Sequence, residues 1–271
     1  MPVRVAAVQM VSGTAIAENL RQAETLITQA AAAGAALVAL PENFALMGQH
    51  ERDKLAVAET EGDAGPIQGF LAAQARRHGI WLVGGTIPLL SGSAERVHAA
   101  CLTYGPTGAC VGRYDKIHLF DVEVAEQEAY RESATIAAGE PQPVFVDTAV
   151  GRLGLTVCYD LRFPELFRLL AAQGVELLAV PSAFTATTGA AHWQVLIRAR
   201  AIENQCIVIA PGQGGRHANG RETHGESMIV GPWGEILAQV DKGPDIAIAE
   251  VDLDRLHQLR HRFPALAHRR L

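Results

Sequence analysis

Apolar positions along the chain switch repeatedly between two periods. Val3 to Val8 (VRVAAV) is a short apolar, β-branched run that predicts a strand. Residues 16–33 then place Leu20, Ala23, Ile27 and Ala31 on one helical face, with Gly34 as the C-cap. Ala36–Leu40 (ALVAL) reads as a second strand stopped by Pro41. Residues 66–78 predict a helix that starts on Pro66 and ends before Gly79. Residues 80–87 (IWLVGGTI) predict a strand weakened by two glycines. Ala99 to Arg113 predicts a hairpin turned by Gly105-Pro106-Thr107-Gly108. Residues 114–142 show no period and read as a long irregular loop. Strands are expected at 143–147 and 152–158, a helix at 164–173, and a strand at 176–180 ending at Pro181. A helix over 191–203 follows, then strands at 206–210, 226–230, 235–240 and 245–251, and a short helix over 254–261.

Strands alternate with helices and no segment reads as a linker or a repeat, which predicts one α/β domain over residues 1–271. The strands are apolar at nearly every position rather than at alternate ones, as in sheets covered on both faces.

Composition narrows the function. Of 271 residues 49% are hydrophobic and 19% charged, so the chain can bury a core and is not disordered. A net charge of −6 lacks the basic stripe that nucleic-acid binding needs. The charge-free stretch Thr25–Pro41 is broken by polar residues and Gly34, and is too short to span a bilayer. Val3 to Gln9 reads as a strand of the mature fold rather than a signal peptide, so neither membrane nor secretion is expected. Cys101, Cys110, Cys158 and Cys206 are widely and irregularly spaced, which suits a reducing cytoplasm better than a disulfide framework.

Three residues share one placement. Glu42 follows the strand ALVAL-Pro, Lys116 follows VGRY, and Cys158 ends GLTV. Ligands of α/β sheets bind beyond the carboxyl ends of strands, and polar residues border all three positions. A thiol attacks only as it loses its proton; a carboxylate can take that proton, and an ammonium stabilises the anion formed. Attack on a carbonyl creates an oxyanion, for which Lys116 and the backbone N–H of Tyr159 are candidate donors. The set therefore suits acyl transfer through a thioester.

Other chemistries stay open on residue types alone. A Cys–His hydrolase needs a histidine beside Cys158, and spacing does not choose among His118, His192, His217 and His224. A metal site is not expected, because it needs clustered ligands, and His217 and His224 stand apart in a Gly-rich loop. The run Gly212-Gln213-Gly214-Gly215 lacks the spacing of a dinucleotide fingerprint and reads as a turn, so no cofactor is expected.

Residues 5–10 (VAAVQM), 38–44 (VALPENF), 113–123 (RYDKIHLFDVE), 130–133 (YRES), 152–165 (RLGLTVCYDLRFPE) and 181–204 together resemble the nitrilase superfamily of carbon–nitrogen hydrolases from end to end. The resemblance implies a four-layer α-β-β-α sandwich of two mixed sheets, paired into dimers or larger homo-oligomers. It implies a Glu–Lys–Cys triad at Glu42, Lys116 and Cys158, with a second glutamate at Glu132. The likeness is strongest to the branch of deaminated glutathione amidase and ω-amidase, in which positions matching Arg162, Phe184 and Thr188 face the substrate. Arg162 suits a carboxylate-bearing amide; otherwise it pairs with Asp160 or Glu165. The implied activity is hydrolysis of a small carboxylate-bearing amide with release of ammonia, on a deaminated-glutathione-like substrate. An α-ketoglutaramate-type amide, an N-carbamoyl compound and a nitrile are the alternatives, and a binding protein that kept the fold without turnover is a less expected second class. Two departures bear on the substrate: Glu226 stands where relatives commonly have His, and Gly231 where they often have Asp.

Overall fold

The computed structural model describes residues 2–62, 65–125 and 128–270. The chain runs β1 (Val3–Gln9), α1 (Ile16–Ala32), β2 (Ala35–Ala39), α2 (Asp53–Ala56), α3 (Pro66–His78), β3 (Trp81–Val83), β4 (Ile87–Leu90), β5 (Val97–Tyr104), β6 (Cys110–Asp115), β7 (Asp121–Ala125) and β8 (Glu128–Arg131). It continues through β9 (Val144–Thr148), β10 (Gly151–Leu155), α4 (Pro164–Ala172), β11 (Leu177–Ala179), α5 (Ala186–Asn204), β12 (Ile207–Ala210), β13 (Met228–Val230), β14 (Ile236–Gln239), β15 (Asp245–Val251) and α6 (Leu253–Arg262). One sheet has the order β15-β1-β2-β3-β5-β4 with β6 on β5; the other runs β14-β13-β12-β11-β10-β9. Both are mixed: β1, β2 and β3 are parallel neighbours, as are β10, β11 and β12, and antiparallel strands flank them.

Side-chain parity explains why the strands are apolar throughout. On β1, Val5 and Ala7 face the core shared with the second sheet, while Ala6 and Val8 pack with Ala23, Ile27 and Ala30 of α1. On β2, Leu37 and Ala39 take the inner face and Val38 the outer one. The second sheet is covered in turn by α4 and α5, through Phe167, Leu170, Trp193 and Ile197. The layers are therefore α-β-β-α, with the two sheets face to face.

The structure corrects several boundaries. The strand expected at 80–87 is two strands, because Gly84 and Gly85 leave the sheet between β3 and β4. Gly85 has φ +56°, and a Cβ there would lie 2.0 Å from the carbonyl oxygen of Pro41, so only glycine lets the two segments approach. Residues 114–142 are not wholly irregular: β7 and β8 form a small hairpin, and a 3-10 turn spans Glu132–Ala134. The helix expected from residue 191 begins at Ala186, capped by the Thr185 hydroxyl, which accepts from Thr188 N–H at 3.1 Å. The strand expected to run to Cys158 stops at Leu155. Cys158 instead opens a 3-10 turn, Cys158–Arg162, with a left-handed φ of 48°. Among the described residues, no helix is long and apolar enough to cross a membrane, and all four cysteines are free thiols.

Candidate active site

Two sheets contribute to one cavity. Glu42 lies beyond the carboxyl end of β2 and Lys116 directly after β6, both in the first sheet; Cys158 lies beyond β10 in the second. All three line a cavity of about 250 Å³, together with Glu132, Tyr159, Arg162, Phe184 and Thr188. The eight residues singled out from sequence thus share one void.

The segment holding Glu42 is fixed from both sides. Asn43 takes φ 57°, and its N–H donates to the Thr86 hydroxyl at 2.9 Å, next to the glycine break. Gln213, on the loop after β12, donates from Nε2 to the Glu42 carbonyl at 3.0 Å and to the Ser12 hydroxyl at 2.8 Å. The run around Gln213 is thus a turn, as its spacing suggested, with one buried amide that ties the second sheet to the Glu42 loop.

Asp160 fixes the turn that holds Cys158. Its buried carboxylate accepts from Tyr114 OH at 2.7 Å, His118 Nδ1 at 2.7 Å and Val157 N–H at 2.8 Å. Cys158 N–H donates to the Pro181 carbonyl at 2.9 Å. A left-handed non-glycine residue costs about 1–2 kcal/mol, so these bonds hold the sulfur where the free chain would not put it. Among the described residues, no acceptor takes the Tyr159 N–H, which leaves a free donor beside the sulfur.

Lys116 is the electrostatic centre. Its Nζ donates to Glu42 Oε1 at 2.8 Å and to Glu132 Oε1 and Oε2, both at 2.9 Å, and its side chain is 1% exposed. Glu132 Oε2 also accepts the Phe120 N–H at 2.7 Å. Burial disfavours the Lys116 ammonium, but the charges of Glu132 and Glu42 outweigh it and hold its pKa well above the ordinary value. Burial likewise raises the Glu42 carboxyl, and the Lys116 charge with its hydrogen bond more than reverses that, so the net shift is downward. The Cys158 thiol is pushed well up, first by burial and then by the Glu42 charge. The Glu42 carboxylate and the Ala183 N–H both face the sulfur. At neutral pH this is an ionised carboxylate beside a neutral thiol, a pair in which the proton can move only as the sulfur attacks.

His118, His192, His217 and His224 do not line the cavity. His118 stacks on Phe163 and bonds Asp160; His217 bonds the Ser12 carbonyl and the Thr223 hydroxyl. Arg162 is not the partner of Asp160 or Glu165. Its Nη1 meets His192 Nδ1 at 3.2 Å, and its guanidinium lies 5.8 Å from the Tyr159 ring and 5.4 Å from that of Phe184. Both departures lie outside the cavity. Glu226 accepts from Gln239 at 2.9 Å, and Gly231 sits where a Cβ would meet the Glu235 carboxylate. Sequence reasoning missed Asp160 as the brace, Gln213 as the cross-tie, and Lys54, Phe120, Tyr130 and Arg221 as lining residues. Tyr130 and Arg221 stand in segments that read as loop, with no period to orient their side chains.

Comparison with known proteins gives one picture. The sequence profile of the carbon–nitrogen hydrolase family matches residues 4–261. The chain is 47% identical over 270 residues to a deaminated glutathione amidase of Synechocystis, covering 99% of this chain and 98% of that one. Its structure superposes on the Caenorhabditis elegans NitFhit protein with a TM-score of 0.92 at 38% identity, over 99% of this chain and 65% of the other. A Nesterenkonia amidase variant carrying acrylamide on its active-site cysteine superposes with a TM-score of 0.78 at 26% identity, covering 97% and 98% of the two chains.

Proposed function

The chain belongs to the carbon–nitrogen hydrolase family and is an amidase of non-peptide C–N bonds, and from that premise we propose that it works through a thioester on Cys158. The observation that carries the reading is the convergence of Cys158, Glu42 and Lys116 on one cavity from two different sheets. Glu42 takes the thiol proton as the sulfur attacks the amide carbonyl. The Tyr159 N–H and Lys116 hold the oxyanion, with the oxyanion replacing one of the two Glu132 contacts on Lys116. Removal of one such donor costs roughly 10²–10³ in rate. Glu42 then gives its proton to the leaving nitrogen, and the C–N bond breaks. A water deprotonated by Glu42 attacks the thioester, the C–S bond breaks, and the sulfur recovers the proton. Glu132 is a positioning residue that aims the ammonium and anchors the β7–β8 hairpin through Phe120.

The substrate follows from the relatives' name combined with the cavity. Phe184 and Thr188 form part of the wall, and Arg162 supplies a cation for a carboxylate on the acyl side. Deaminated glutathione has no primary amide, because both its amide nitrogens are substituted. The leaving group on this substrate is therefore an amine, cysteinylglycine, and not the ammonia expected of a primary amide. The substrate lacks an amino group and the product has one, so fluorescamine follows the reaction directly. Wild type should generate amine and 2-oxoglutarate in equal amounts, and Cys158→Ala should generate neither. Full activity in Cys158→Ala rejects the mechanism. Parallel rates on α-ketoglutaramate, an N-carbamoyl acid and a nitrile rank the alternative leaving groups by kcat/KM.

On this reading residues 1–271 act as one catalytic domain in the cytoplasm and self-associate as dimers or larger forms. Val195 and Ile202 on α5 are large apolar side chains left 66% and 49% exposed, a surface that suits a second copy. Sedimentation at several protein concentrations tests the assembly.

A further inference from the structure

Arg162 is not the only arginine with its guanidinium on an aromatic wall of the cavity. Arg221, on the loop between β12 and β13, also lines it. Its Nη2 donates to the Ala183 carbonyl at 2.8 Å, and its Cζ lies 5.0 Å from the Tyr130 ring centre. Its Nε is buried and has no acceptor among the described residues. No described carboxylate lies within ion-pair distance of either arginine, whereas the lining cation Lys54 is already paired with Glu51 at 2.7 Å.

The two guanidiniums are spaced by a row of rings. Arg221 covers Tyr130; Tyr130 lies 5.2 Å from Phe120; Phe120 lies 5.1 Å from Tyr159; and Arg162 covers Tyr159. Tyr130, Phe120 and Tyr159 all line the cavity, so the two cations stand at opposite ends of one aromatic row. They share neither a ring nor a hydrogen-bond partner. A single small carboxylate uses one such end.

We propose that Arg221 is a second carboxylate pole of the cavity, the residue that selects substrates bearing a carboxylate on the amine side of the scissile amide. The proposal rests on the acyl-transfer reading above and adds to it what holds the leaving group. Arg162 lies on the same turn as Cys158, so it faces the acyl chain that stays on the sulfur. Arg221 is bonded to Ala183, whose N–H faces that sulfur, and its charge also acts on Glu42, which protonates the leaving nitrogen. The amine half therefore lies on the Arg221 side. Deaminated glutathione has this layout, with a 2-oxo acid at one end and a glycine carboxylate at the other; α-ketoglutaramate lacks the second carboxylate.

The test pairs deaminated glutathione with its C-terminal glycinamide, which differs only in the distal carboxylate. Wild type should prefer the free acid in kcat/KM by about tenfold or more, as expected for one charge-assisted contact. Arg221→Met should bring that preference close to one, mainly through KM, and Arg221→Lys should restore part of it. Arg162→Met should depress both substrates and leave the preference in place. A wild-type preference of one, or a preference unchanged in Arg221→Met, overturns the pole and leaves the thioester reading standing. Activity of Cys158→Ala on either substrate overturns the thioester reading instead, and a wild type that cleaves neither substrate overturns both. Should Arg221→Met fail to fold, inhibition of wild type decides: cysteinylglycine should inhibit at least several-fold more strongly than its carboxamide, and equal inhibition overturns the pole.

Discussion

At Cys158 two influences oppose each other. Burial and the Glu42 charge push the thiol up, while Lys116 pulls it down, and the first pair wins. On the proposed mechanism the resting nucleophile is therefore protonated, with Glu42 as its base. This sets the pH profile. Glu42 accepts a proton only when ionised, and its carboxyl is held below the ordinary range. On a substrate that does not titrate, kcat/KM should stay flat from alkaline pH down past the usual carboxylate value, then fall as pH drops through the lowered one. An acid limb near pH 6–7 would instead point to a histidine partner. Stability carries the same sign, because the folded pKa of Glu42 lies below the unfolded one. Its contribution is present above the unfolded value and is lost as pH falls through the folded one. Lys116 has a raised pKa, so its contribution is complete below the unfolded lysine value and is lost only as pH climbs through the higher folded one. Asp160 tests the brace. Asp160→Ala strands the Tyr114 hydroxyl, His118 and the Val157 N–H, and should cost about 3–5 kcal/mol of stability in chemical denaturation. The surviving folded enzyme should lose kcat more than KM, because the sulfur is no longer held in its left-handed turn.

Elements show what sequence could and could not reveal. The helices at 66–78 and 164–173 were legible from their proline starts and glycine ends, and β1, β2 and β12 from their apolar runs. The placement of Glu42 and Lys116 after strands was legible for the same reason. The end of β10 was not. Thr156 and Val157 are good strand residues, but the Val157 N–H turns to the Asp160 carboxylate three residues on, within the turn that opens at Cys158. The β7–β8 hairpin was equally hidden, since it is largely exposed and carries little apolar pattern. The glycine pair after β3 was visible as a weakness but not as a fit, because its partner Pro41 is remote in sequence. Gly85→Ala tests that fit. The added methyl meets the Pro41 carbonyl and the left-handed φ resists it, so the variant should lose about 2–4 kcal/mol by calorimetry. Because Pro41 precedes Glu42, activity should fall beyond what the lost folded fraction explains.

The whole molecule is a pair of sheets held in register by uncharged side chains at their seam. Gln9 accepts from Ser227 N–H and hydroxyl at 2.8 and 2.9 Å and donates to the carbonyls of Asp241 and Gly243. Gln213 joins Ser12 and Glu42 from the opposite sheet. Gln213→Leu leaves the Glu42 carbonyl and the Ser12 N–H without their partner in a buried site. It should cost about 2–3 kcal/mol, read as a lower denaturation midpoint at unchanged m-value. These amide stitches have a further consequence. Neither glutamine titrates, so these ties are indifferent to acid, while the Glu42 carboxylate they align is not. Acid that takes the pH through the lowered Glu42 value should silence turnover with far-UV circular dichroism intact. A jump back to neutrality should then restore full rate within the dead time of mixing, as a switch thrown on a frame that never moved.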